Sequence, residues 1–296
     1  MTYLSLDESV LMYYLIDFVI VLSILTGFRF FSNLIASASL HERLAEDDNF
    51  ALGISLAGAI ISIAIMLMGA VSGQVAASPR QELVMMAAYG VFGILLMWLT
   101  RKLFDHVLFA KVSIHQLILS DNAAAGLVDA GNMIATAIIV RAVMMWVEED
   151  SWLGFGIVLL GFALSQLIMY LATWYRRWVF MRRHPKRSLD QELETNNIAL
   201  AIRFSGHRIG LALAITSTSS LVLYQSEQLA WALGLWLLVA LALFVAQTLI
   251  AIAARFILLP GVNVGQEVTE QRNIAIGALE ASIYMAVGLI FLGLLG

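Results

Sequence analysis

The chain has no cysteine, three prolines and little charge: Asp, Glu, Lys and Arg together make up 13% of its 296 residues. Without cysteine, disulfides and thiol chemistry are excluded. The scarcity of charge excludes an ordinary soluble domain, in which about 25% of residues are charged. Pro79, Pro185 and Pro260 all fall between apolar runs, where a missing N–H does least harm. The first ten residues hold Asp7 and Glu8 but no Lys or Arg, so no secretory signal with a basic start is expected. A net charge of −4 gives no reason to expect nucleic acid as a partner. His-Glu-x-x-His, a Gly-rich phosphate loop, a Gly-x-Ser-x-Gly elbow and histidines paired at metal spacing are all missing. His41, His106, His115 and His184 are scattered through the connections and read as ordinary surface residues. No enzymatic activity, cofactor or metal site is expected.

What the chain does have is apolar sequence: 61% hydrophobic residues and a mean hydropathy of +0.87. Eight apolar runs stand out, at about 10–35, 50–77, 82–104, 123–146, 152–180, 198–224, 229–257 and 274–295. Each can cross a hydrocarbon core of ~30 Å at ~1.5 Å per residue. The expected fold is an all-α integral membrane protein with eight transmembrane helices, whose main partner is the lipid bilayer.

Four of these runs open alike, with Asn49-Phe-Ala-Leu-Gly53, Asn122-Ala-Ala-Ala-Gly126, Asn197-Ile-Ala-Leu-Ala201 and Asn273-Ile-Ala-Ile-Gly277. The four asparagines are 73, 75 and 76 residues apart. Small residues recur eight and nine positions on: Ala57-Gly58, Ala130-Gly131, Ser205-Gly206 and Ala281-Ser282. A fixed period with a fixed fingerprint predicts one unit used four times, each a hairpin of an inward span, a connection and an Asn-led outward span. Carboxylates seven residues after the Asn in the second and fourth units, Asp129 and Glu280, pair the units two by two. The expected division is therefore 1–150 and 151–296, two four-span copies with a seam near 148–152.

Of the seventeen Lys and Arg, thirteen flank or occupy the connections inside the hairpins, among them Arg101, Lys102, Lys111, Arg176, Arg177, Arg182, Arg183, Lys186 and Arg187. The positive-inside rule then places these connections in the cytoplasm and both termini in the periplasm. Trp146, Trp152, Trp231 and Tyr224 at the outer ends, and Trp174, Tyr175 and Trp178 at an inner end, would form aromatic belts.

With the repeated Asn-x-Ala-x-Gly starts in view, the chain resembles the YjfL-like inner-membrane proteins, domain-of-unknown-function family 350, in two tandem copies. Ala201, in place of Gly, is a mild departure. The resemblance implies a bacterial inner-membrane location. It also implies genetic company with phage-shock-like envelope-stress proteins and polyamine-related enzymes, so a cytoplasmic partner of that kind is conceivable, as is a homo-oligomer.

Two readings attach to the asparagines. One is helix capping, worth about 1 kcal/mol each; the other is a polar vestibule where four helix starts converge. The small residues read chiefly as packing faces. At 100° per residue, positions zero, four, seven and eleven share one arc. The arc holds Asn122, Gly126, Asp129 and Met133; Asn197, Ala201, Phe204 and Arg208; Asn273, Gly277, Glu280 and Tyr284; and, without charge, Asn49, Gly53, Leu56 and Ile60. Arg203 and His207 flank it. Ionised groups at membrane depth cost at least ~2.5–3.5 kcal/mol and should face protein or water. Either Asp129 and Glu280 pair with Arg203 and Arg208 and lock the bundle, or these groups and His207 line a path for a small cation or polyamine. The rival function is a non-transporting scaffold whose basic connections, especially 176–195, recruit an envelope-stress partner. Asp17 and Arg141 are a further possible pair, and Gln166 and Gln247 are expected to bridge helices.

Overall fold

The structure is a computed structural model, describing residues 15, 18–27, 41–71, 79–105, 109, 112–147, 152–185 and 187–296. All regular structure among these residues is helical. The helices are α1 (Phe18–Gly27), α2 (Phe50–Val71), α3 (Pro79–Leu103), α4 (Ile114–Leu119), α5 (Ala123–Trp146), α6 (Trp152–Arg183), α7 (Leu189–Glu194), α8 (Ile198–Thr216), α9 (Thr218–Leu221), α10 (Leu229–Leu258), α11 (Val264–Thr269) and α12 (Ile274–Leu295). Seven of them are long and apolar enough to cross a membrane. The first expected span is described only at 15 and 18–27, so the eighth crossing lies largely outside the described residues, as do Asp17, His106, Lys111, Glu148 and Lys186.

The Asn-led helices begin where the sequence places them. Pro79 opens α3, at the position where proline's missing N–H is unneeded. The run expected over 198–224 is broken at Ser217, just after Thr216 Oγ1 donates back to Ala212 O (3.0 Å).

α2, α5, α8 and α12 pack side by side, α2 on α5, α5 on α8 and α8 on α12. No comparable packing joins α2 to α12. The four Asn-led helices therefore form an open row rather than a ring about one axis. α3, α6 and α10 pack against this row from outside and carry much of the exposed apolar surface, such as Trp98, Leu160 and Leu238.

Glycine sets the spacing within the row. The residue nine after one Asn meets the residue eight after the next, three times: Gly58 on Ala130, Gly131 on Ser205 and Gly206 on Ala281. A methyl on Gly126 would lie 2.5 Å from Ala51 O, and one on Gly277 2.5 Å from Ala199 O. Only hydrogen fits at such separations, so packing is what these small residues do. Gln166 bridges to Thr136 Oγ1 (3.4 Å) and Gln247 to Tyr284 O (3.0 Å), as expected. Trp152 and Trp231 are exposed, as in a belt, but Trp146 is buried and donates to Val222 O (2.5 Å).

Candidate functional site

Each Asn-led helix is entered in the same way. A short helix (α4, α7 or α11) or a π-helical turn (Glu42–Glu46) ends, and one residue then takes positive φ: Asp48 (49°), Asp121 (59°), Asn196 (57°) or Arg272 (53°). The Asn follows, and its Oδ1 accepts the amide three residues on: Leu52 (2.7 Å), Ala125 (2.9 Å), Leu200 (3.1 Å) and Ile276 (3.3 Å). That is the capping reading.

The other half of the amide does something capping does not require. Asn49 Nδ2 donates to Ile118 O (3.1 Å), Asn122 Nδ2 to Leu193 O (2.8 Å) and Asn197 Nδ2 to Val268 O (3.1 Å). Each bond reaches the carbonyls ending the short helix of the next repeat. In return, Asp121 Oδ1 accepts Ala51 N–H and Asn196 Oδ1 accepts Ala124 N–H, both at 2.9 Å. Arg272, a poor left-handed residue, instead donates to Thr195 O (3.0 Å) and Oγ1 (2.8 Å). The four helix starts are thus stitched in succession; they do not converge on a common vestibule.

The charges fall into two sites at matching places in the two halves. In the first, Asp129 on α5 accepts from Arg101 Nη2 (2.8 Å) and Ser55 Oγ (2.6 Å). In the second, Glu280 on α12 is wholly buried, at 0% exposure, and faces Arg203 Nε (2.5 Å) and Arg255 Nη1 (3.3 Å), with His207 Nε2 3.6 Å away. Ser55 and Arg203 both lie six residues after their Asn, and Arg101 and Arg255 both come from the long helix before the carboxylate's own, α3 and α10.

The two-against-two pairing expected among Asp129, Glu280, Arg203 and Arg208 therefore forms only in its Glu280–Arg203 half. Asp129 pairs with Arg101 instead. Arg208 pairs with no carboxylate among the described residues. It donates to Asn132 Oδ1 (2.5 Å) and Thr173 Oγ1 (2.7 Å), and its guanidinium lies over the Phe104 and Phe204 rings. Beyond the spans, burial raises the Asp105 carboxyl above its usual range, against the opposing hydrogen bond from Ile114 N–H.

Beside Glu280 a cavity of about 210 Å³ opens among α6, α8, α10 and α12. Arg176, Arg183, His184, Arg203, His207 and Arg255 line it, with an apolar wall that includes Val179, Ile252 and Phe256. No carboxylate lines it among the described residues. Arg176 lies over the Tyr284 ring at 5.0 Å, and Tyr284 packs in turn on His207 with ring centroids 3.7 Å apart. Four arginines thus surround a space with one carboxylate behind it. No group of three or more His, Cys, Asp and Glu able to hold a metal is found among the described residues.

Sequence reasoning found both carboxylates, Arg203, His207 and all four asparagines. It missed the roles of Arg101, Arg255 and Arg176, whose place near helix ends reads as a topology signal. The clue was their offset: Arg101 and Arg255 precede their carboxylates by 28 and 25 residues.

These features define a multi-pass helical membrane protein with buried, arginine-paired carboxylates repeated in its two halves. The chain matches the family described as Domain of Unknown Function (DUF350) twice, over residues 5–144 and 150–295, and belongs to it as a tandem two-copy member. No curated protein and no solved structure matches it.

Proposed function

We propose that this protein binds the anionic group of a small solute or amphiphile in the cavity of its second copy, in the bacterial inner membrane, as a carrier or receptor for that group. The observation that carries the reading is the surplus of positive charge. Arg203 and Arg255 already share Glu280, while Arg176 and Arg183 add two further guanidinium groups to the same space. Guanidinium groups present several fixed donors to carboxylate or phosphate oxygens, and a partly desolvated setting strengthens such bonds. The cation or polyamine expected from sequence needs free carboxylates, and both Asp129 and Glu280 are held by arginine. The apolar wall suits an anion carrying a hydrocarbon portion.

The test is isothermal titration of inorganic phosphate, and separately of spermidine, into protein held in nanodiscs of zwitterionic lipid. Wild type should take up phosphate, and Arg176→Gln, which breaks no ion pair among the described residues, should bind it more weakly. Uptake of spermidine alone would return the site to the cation reading.

For the rival scaffold reading, Arg177 is engaged by Asp190 (2.5 Å) and Arg187 by Glu192 (3.1 Å), which leaves Arg182 and Arg183 as exposed arginines of that connection without an ion pair among the described residues for a cytoplasmic envelope-stress partner to grip.

A further inference from the structure

The first and fourth repeats each leave one face of the row uncovered, and the two faces are complementary. Positions two, six, nine and thirteen after each Asn lie on one helix face, four and three residues apart. In the first repeat this face is Ala51, Ser55, Gly58 and Ser62; in the second it is Ala124, Val128, Gly131 and Ala135. All eight are buried, and the next repeat covers them. In the fourth repeat the same face is Ala275, Leu279, Ser282 and Ala286, continued by Leu289 and Gly293, and every one is exposed. Three of its four positions are small, with Ser282 standing where the other repeats have Gly58, Gly131 and Gly206. Asn273 Nδ2 donates to Glu267 Oε2 (2.9 Å), as Asn197 Nδ2 does to Glu192 Oε2 (3.0 Å) beside its bond to Val268 O.

The first repeat presents the opposite face. Ala130, Ser205 and Ala281, eight after their Asn, are buried by the preceding repeat; their counterpart Ala57 is exposed. Asp48 holds the same left-handed turn as Asp121, which accepts the preceding repeat's Ala51 N–H. Asp48 is exposed. Ala45 and Glu46 lie four and three residues before Asn49, as Ile118 and Leu119, whose carbonyls receive Asn49 Nδ2, lie before Asn122.

We propose that a second copy of this chain docks its first repeat on the fourth repeat of this one, continuing the row by the same interface that joins repeats within the chain. Asp48 of one copy accepts Ala275 N–H of the other, Asn273 Nδ2 swings to the Ala45 and Glu46 carbonyls, and Ala57 lies opposite Ser282, whose Cβ sets the two helices further apart than Gly58 sets Ala130. The contact is head to tail, so it builds a closed ring if the rotation per copy closes and a filament in the membrane plane if it does not. The occupant follows from continuity: the three interfaces inside the chain already join these two faces, and the exposed ends keep Ala57, Asp48 and Ala275 in the places of Ala130, Asp121 and Ala51.

The absence of cysteine makes the test clean. Chains carrying only Ala57→Cys are co-expressed with chains carrying only Ser282→Cys, and membranes are oxidised. Both positions are exposed, and a disulfide needs Cβ atoms about 3.8 Å apart. A disulfide-linked dimer is expected from the mixture and from neither variant alone. Leu238→Cys, on the lipid-exposed face of α10, replaces Ser282→Cys as the control and should give several-fold less. No dimer above that control would overturn the proposal and leave the end faces to lipid. A dimer from Ser282→Cys alone would overturn it equally, because it reports a two-fold contact.

Discussion

At the scale of residues, the repeated asparagine is explained by needing an uncharged acceptor and donor on one short side chain. Asp or Ser could cap the helix, but neither could also donate an amide hydrogen pair to the next repeat's carbonyls. Asn122→Asp keeps the cap and sets a carboxylate against Leu193 O, now 2.8 Å from Nδ2. It should lower stability by about 1–3 kcal/mol, the cost of an unmet buried polar group, as read by thermal unfolding in detergent. Asn122→Ser should also be destabilising, so equal stability for all three residues at this position would leave capping alone as the role. Glu280→Gln is more severe. It strands Arg203 and Arg255 together, and removing one partner of a buried pair costs about 3–5 kcal/mol. The double variant Glu280→Gln, Arg203→Gln should recover part of that loss in the same assay.

At the scale of elements, the Asn-led helices were legible because each announces itself with a cap and a small-residue face. α5 and α12 run over the residues expected of them, Ala123–Trp146 and Ile274–Leu295. The turn before each helix was not legible: Asp48, Asp121, Asn196 and Arg272 look like any polar connection, and only their shared positive φ reveals one geometry. The charge partners were not legible for a related reason. Helical periodicity says which residues of one helix share a face, but not which neighbour that face meets, so Arg101 and Arg255 read as flanking charge. The packing argument has a sharp test. Gly206→Val drives a side chain into Ala281, and overpacking of this kind typically costs about 1–3 kcal/mol or more. At Gly234, inside α10, a methyl meets nothing within 4 Å. Gly234→Ala should therefore be neutral or stabilise by roughly 0.4–1 kcal/mol. Comparable losses in both variants, measured as thermal midpoints, would remove close approach as the reason for the glycines.

At the scale of the whole molecule, the two copies share a carboxylate and an arginine at matching places but differ in charge balance. The first site is one acid and one base, Asp129 and Arg101. The second has gained Arg203 where the first has Ser55, and a cavity lined by Arg176 and Arg183 beside it. The first half thus holds a neutral ion pair, and the second an excess of arginine beside a cavity, which is what the proposed anion site rests on. Sequence alone pointed to charge at membrane depth without giving the sign of the site, because the sign depends on arginines contributed by α6 and α10. A bound anion stabilises the folded state by mass action, and does so more where positive charge is uncompensated. The most direct measurement is the thermal midpoint of wild type and of Glu280→Gln against phosphate concentration, at constant ionic strength, with spermidine as the opposing ligand. Phosphate should raise both midpoints, and raise that of Glu280→Gln further. A midpoint raised by spermidine and unmoved by phosphate, with the spermidine effect lost in Glu280→Gln, would contradict an anion site and make the buried carboxylate the ligand-binding group.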